Sequence, residues 1–286
     1  MNLSTVEKIA NAVLYEGYVL YPYRPTAIKN HQRFNFGVLY PRGYPEPFEM
    51  QTECLIEGGA LASIEAKVRF LQMIQVREWQ EGIERECATP ACSLDSLLAQ
   101  PLCQEFSFDG LRGELELNAS KAEDLFKITL RVRNNTDAPD IVERDGALLR
   151  SMVSVHSILQ VTGGRFLSAI DPPADHKEAA AACQNIGTWP VLAGDEGEAG
   201  IMLSSPIILY DYPEIAPESP GDLCDGLEID EILALRILTL TDDEKREVRE
   251  GDARARQILE RTEMLPPEHF QKLHGALRRL RPEGQR

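Results

Sequence analysis

Two runs in the middle of the chain limit its fold more than any other feature. Leu111 to Asn118 sets Leu111, Gly113, Leu115 and Leu117 against Arg112, Glu114 and Glu116. Phe126 to Arg133 sets Phe126, Ile128, Leu130 and Val132 against Lys127, Thr129, Arg131 and Arg133. A period of two is the repeat of a pleated strand, so each run carries one apolar and one polar face. The polar faces have opposite signs, acidic on the first run and basic on the second, which suits direct pairing across an antiparallel hairpin. Ala119 to Asp124 is expected to turn the chain, and Asn134-Asn135-Thr136-Asp137-Ala138-Pro139 to close the second strand. An antiparallel sheet with one face open to solvent follows.

Other segments extend that sheet. Met50 to Glu57 and Ser63 to Val76 read as strands, the latter long and alternating. Tyr18 to Tyr23, Phe34 to Tyr40, Met152 to Val161, Gly164 to Ile170 and Ile201 to Asp211 are further candidates, with Thr162-Gly163-Gly164 expected as a turn. Thr5 to Tyr15 breaks the pattern, placing Val6, Ile9, Ala10, Val13 and Leu14 on one helical face. After the proline-rich stretch Pro213 to Pro220 the texture becomes helical. Helices are expected over Glu228 to Leu238, over Asp242 to Glu250 with Thr241 and Glu244 as a capping box, over Ala253 to Thr262, and through His269 to Leu280. The expected fold class is α+β, a largely antiparallel β-sheet or sandwich over about residues 18–211. A β-rich domain with a short N-terminal helix spans 1–211, and a helical C-terminal region, 212–286, packs on it because apolar Ile229, Ile232, Leu233 and Leu235 need a partner.

Charge narrows the function. With 46 acidic and 30 basic residues the chain carries a formal charge of -16, which repels polyphosphates and argues against a nucleic-acid scaffold. No apolar run approaches the roughly 20 residues of a membrane span, and Glu7 and Lys8 make the N-terminus unlike a signal peptide, so a cytoplasmic protein is expected. Six scattered cysteines fit reduced thiols. Cys54, Cys87, Cys92 and Cys103 offer four soft ligands for zinc or an iron–sulfur centre, but no Cys-x2-Cys pair occurs, and the expectation is no metal and no cofactor. The histidines are dispersed, and His156, among Val153, Val155, Ile158 and Leu159, reads as a core residue. No nucleophile elbow, phosphate loop or dinucleotide fingerprint is present.

The segment Tyr15 to Gly37 departs from this background. It holds four of the eight tyrosines, with Tyr21 and Tyr23 next to Arg24, followed by Lys29, Asn30 and Arg33. A basic, aromatic island in an acidic protein suits a carboxylate, a phosphate or an acidic partner peptide. The alternative is a sheet edge whose tyrosines pack inward and whose cations pair with the protein's own carboxylates.

Three stretches together carry a likeness: Leu14 to Pro41, with Tyr-Glu-Gly-Tyr-Val-Leu-Tyr-Pro-Tyr-Arg; Pro213 to Thr241, with Ala-Pro-Glu-Ser-Pro-Gly-Asp and Glu-Ile-Asp-Glu-Ile-Leu; and Leu265 to Pro282, with Leu-Pro-Pro-Glu-His and Leu-His-Gly-Ala-Leu-Arg. They resemble an uncharacterised bacterial family encoded beside the subunits and maturation proteins of uptake nickel–iron hydrogenases. The resemblance implies a non-catalytic accessory or assembly protein that binds a hydrogenase subunit or maturation protein. The runner-up is a small-molecule enzyme that holds an anionic substrate through the Tyr/Arg/Lys-rich segment. If that segment docks a partner, the combined change Arg24→Ala, Lys29→Ala and Arg33→Ala abolishes hydrogenase maturation in cells. Thermal melting then stays nearly unchanged, since exposed charges are worth about 0–1 kcal/mol each. A stability loss of several kcal/mol in the same variant identifies structural ion pairs instead.

Overall fold

The computed structural model describes residues 3–15, 36–76, 79–138, 143–215, 237–250 and 253–266. The chain divides into two units, the first holding the described residues up to Glu214 and the second those from Ile215. Among the described residues no helix is long and apolar enough to cross a membrane.

The first unit is α+β, built on one antiparallel sheet of nine strands. Helix α1 (Leu3–Leu14) precedes β1 (Glu49–Val76), β2 (Trp79–Ala88), β3 (Cys92–Ser93), α2 (Leu94–Ala99), β4 (Leu102–Phe108), β5 (Leu111–Ala122) and β6 (Leu125–Asn134). Then come α3 (Arg144–Leu148), β7 (Met152–Phe166), α4 (Lys177–Ala181), β8 (Trp189–Leu192) and β9 (Ile201–Ser205). The order across the sheet is β4-β5-β6-β1-β7-β9-β8, with β2 and β3 also paired to β1.

The two alternating runs form the expected hairpin. Glu114 lies opposite Arg133 and Glu116 opposite Arg131, and the ion pairs close at 2.9 Å and 3.0 Å. Arg133 also reaches Glu116 and, from β1, Glu49. The turn is tighter than expected, because pairing continues to Ala122 and Leu125 and leaves only Glu123 and Asp124 to reverse the chain.

Met50 to Glu57 and Ser63 to Val76 are one strand of 28 residues. Ile56 pairs with both Phe126 of β6 and Phe166 of β7, so those strands occupy opposite edges of β1. Farther along, residues 67–72 pair with β7 on one edge and β2 on the other. The expected turn at Thr162-Gly163-Gly164 is instead a deformation within β7, matched by a register shift in β1 between Gly58 and Ser63. A Cβ on Gly58 would lie 3.0 Å from Gly164 Cα, and one on Gly164 would lie 3.0 Å from the Glu57 carbonyl oxygen. The glycines therefore permit close backbone approach rather than reversal.

The sheet curls back on itself. Phe70, in the second half of β1, packs 5.8 Å and 6.0 Å (ring centroids) from Phe106 and Phe108 of β4, the far edge strand of the path. Leu94 and Leu97 of α2 join the same core. Outer faces are covered too: Leu55, Leu125 and Leu167 meet Ala179, Ala180 and Cys183 on and just after α4. The Ser154 hydroxyl donates to the Val13 carbonyl at the end of α1, 2.8 Å away. All five residues of the expected apolar face of α1 are buried. Double coverage explains why residues 50–56 are buried without alternation.

In the second unit, α5 (Asp242–Glu250) and α6 (Ala253–Glu263) bury Val248, Ile258 and Leu259 around Ile237. The Glu244 amide donates to Thr241 Oγ1, and Glu244 Oε2 accepts from the Thr241 amide, which is the expected capping box. Ile229, Ile232, Leu233 and Leu235, on which the expected docking of this region rests, lie outside the described residues, as do Glu228 to Leu235 generally and His269 to Leu280.

Gly113 lies opposite Phe106 in the β4–β5 pair. A Cβ there would approach Phe106 Cζ to 2.2 Å and Met152 Cε to 2.5 Å. Gly113→Ala is expected to displace the Phe106 ring from the Phe70 cluster and cost about 1–3 kcal/mol in urea unfolding.

Candidate functional site

Tyr21, Tyr23, Arg24, Lys29, Asn30 and Arg33 lie outside the described residues. The four cysteines named as possible ligands are described and sit on four different strands, β1, β2, β3 and β4. Among the described residues no three of their sulfur atoms lie within 4.8 Å of one another. Cys92 donates its thiol to the Ile64 carbonyl, and Cys87 accepts from Gln104. Burial pushes the thiols of Cys54, Cys87 and Cys92 up, disfavouring the thiolate a metal requires. Cys103 is exposed, and its thiol is also raised, first by partial desolvation and then by Glu116 and Glu114.

A polar cleft of about 430 Å³ opens beside the β4–β5 turn, lined by Asp109, Arg112, Thr136, Asp137 and Arg150 among others. The turn itself is Asp109-Gly110, both residues with positive φ (45° and 88°). That is the Asp-Gly signature of a two-residue type I′ hairpin, a sequence signal that marks both strands even though β4 alternates weakly. Arg112 Nη2 donates to Asp137 Oδ2 at 2.7 Å, and Arg150 Nη1 to the Asp137 carbonyl at 3.0 Å. Arg85, whose guanidinium lies 5.2 Å from the centre of the Phe108 ring, pairs with Asp109. Each guanidinium is thus already engaged by a protein acceptor. The arrangement suits a weakly held anion or zwitterion at an open surface better than a water-excluding reaction site.

His156 lies on β7 opposite Arg69 of β1 and is fully buried. Its Nδ1 sits 3.0 Å from the Ser154 carbonyl oxygen, and its Nε2 has no hydrogen-bond partner among the described residues. Burial pushes its pKa down to about 4; the Ser154 carbonyl opposes that shift and the Arg69 charge adds to it. The residue is a neutral core histidine, as expected from its neighbours.

The opposite end of the sheet presents a different surface. Strand β8 is the edge, held by the Leu192 amide donating to Asp211 Oδ1 and the Tyr212 amide donating to the Leu192 carbonyl. Pro190 lies two residues from Leu192 and so directs its missing N–H to the same outer edge. Around this strand Trp189 is 45 % exposed, Ile186 50 %, Ile208 69 % and Tyr210 82 %. Trp189 is paired with Ser205, so the connection after β9 leaves from beside Trp189 and, carrying Ile208 and Tyr210, runs along β8 to Asp211 and Tyr212 beside Leu192. Sequence periodicity did not reveal this rim, because β8 is only four residues long and the other residues lie in connections.

The His156 geometry has a pH consequence. In the unfolded chain this imidazole titrates near 6.5, so between pH 6.5 and about 4 the unfolded state binds the extra proton. Its contribution to stability is complete above about 6.5 and is lost progressively as pH falls toward 4. Urea midpoints measured from pH 7 to 4 are expected to drop more steeply for the native protein than for His156→Gln.

No family model matches the chain, and no curated protein matches it.

Proposed function

We propose that this protein is a non-catalytic accessory or assembly protein for a nickel–iron hydrogenase, acting by protein–protein binding in the cytoplasm. The observation that carries the binding role is the exposed rim of Ile186, Trp189, Ile208 and Tyr210 around the edge strand β8. Aromatic and branched apolar side chains exposed at a sheet margin are the composition of an interface centre. Pro190 and the Asp211–Tyr212 bridge block strand addition along this edge, so the rim suits side-chain docking rather than sheet extension. The net charge of -16 favours a partner with a basic surface. The class of partner rests on the resemblance of the three stretches quoted above.

Affinity purification from cells making the hydrogenase tests this reading. The tagged full chain is expected to carry a hydrogenase subunit or maturation protein with it. Trp189→Ser combined with Tyr210→Ser is expected to weaken that association at least tenfold, because buried aromatic anchors contribute about 2 kcal/mol or more each. Both are surface changes, so unfolding free energy is expected to move by only about 0.5 kcal/mol each. Recovery of no hydrogenase-related polypeptide contradicts the proposal, and a stoichiometric small metabolite in its place supports an enzyme acting on an anionic substrate.

A further inference from the structure

Glu123 and Asp124 make the two-residue connection between β5 and β6. His176 ends the single helical turn Ala174–His176 that leads into α4. These segments are 52 residues apart, and an apolar contact joins them: Leu125, with Leu55 and Leu167, forms a small core against which Ala122, Ala179 and Ala180 pack. One oxygen from each carboxylate and one imidazole nitrogen consequently lie within 4.8 Å of one another.

Two observations separate this trio from an ordinary acidic surface. An imidazole completes it, and although His176 is only partly buried, its Nδ1 is shielded from solvent with no hydrogen-bond partner among the described residues. A shielded nitrogen without a partner is costly unless something occupies it. Among the described residues neither carboxylate has an ion-pair partner; Lys121 Nζ lies 3.4 Å from the centre of the Phe126 ring, and Lys127 pairs with Glu53. Adjacent carboxylates with no cation between them repel, and a divalent ion removes that repulsion.

We infer that Glu123, Asp124 and His176 form a binding site for a divalent first-row transition-metal ion. Calcium and magnesium favour all-oxygen shells, and copper(I) favours sulfur, whereas one imidazole with two carboxylates suits zinc, cobalt, nickel or manganese. Three protein ligands leave coordination positions for water or for a group on a bound partner. The site is independent of the proposed hydrogenase role.

Titration of the full chain with Zn²⁺ by calorimetry, and with Co²⁺ by visible absorption and imidazole NMR, tests the inference. One saturable ion per chain is expected, with Co²⁺ perturbing the His176 ring resonances. Asp124→Asn and His176→Gln are each expected to weaken binding at least about tenfold. Glu123 has φ +57°, a left-handed conformation that glycine adopts freely. Glu123→Gly is therefore expected to lose affinity without losing stability, which separates ligand removal from misfolding. Absence of saturable binding, or affinity retained in any of the three variants, overturns the site.

Discussion

The first unit depends on the bent path of β1. At Ile56 the strand holds β6 on one edge and β7 on the other, and beyond the shift at Gly58 it holds β2 where β6 had been. One strand is thereby shared by both halves of a sheet that curls until Phe70 meets Phe106 and Phe108. The bend relies on residues 59–62, which leave the ladder and carry Leu61 out to 90 % exposure, and on the backbone contact that Gly58 and Gly164 allow. Bulges of this kind increase twist and let a sheet close over its own core.

What lies outside the curl follows from it. Glu53 faces away from the core but is covered, and it accepts from Lys127 at 3.2 Å, Thr129 at 3.1 Å and the Gln184 amide at 2.8 Å. A buried carboxylate is tolerable only with such a full set of donors. The same residues tie the segment before β8 to the sheet: Gln51 bonds the Gln184 carbonyl, and its backbone bridges Ile186. Thr52, Ser204 and Thr188 add a buried chain of hydroxyls at 2.7 Å each. The Ile186 and Trp189 part of the proposed docking surface thus follows a hydrogen-bonded base, which leaves less backbone ordering to do on binding.

Local periodicity carried much of the fold. The α1 face, the β5–β6 hairpin with its ion pairs, and the Thr241–Glu244 capping box all follow from spacings within a dozen residues. The union of two expected strands into β1 does not, because 58–62 reads as a break when the pairing of both flanks to β7 is unknown. Strands β2 to β4 mix polar residues and cysteine without strict alternation, and Asp109-Gly110 marks the end of β4 alone. For sites the contrast is sharper. The basic island was legible as composition, whereas the Glu123, Asp124 and His176 trio is created by α4 packing on Leu125, a long-range contact with no sequence signature.

If β1 is the shared element, its two halves cannot open separately. Native-state hydrogen exchange on the intact chain measures this directly, through the opening free energies of amides in residues 50–56 and 64–72. With β1 shared, the slowest amides of both stretches are expected to exchange through the same global unfolding, agreeing within about 1 kcal/mol and sharing one denaturant dependence. A second half that opens at markedly lower free energy, with β2 but without β6, would contradict it.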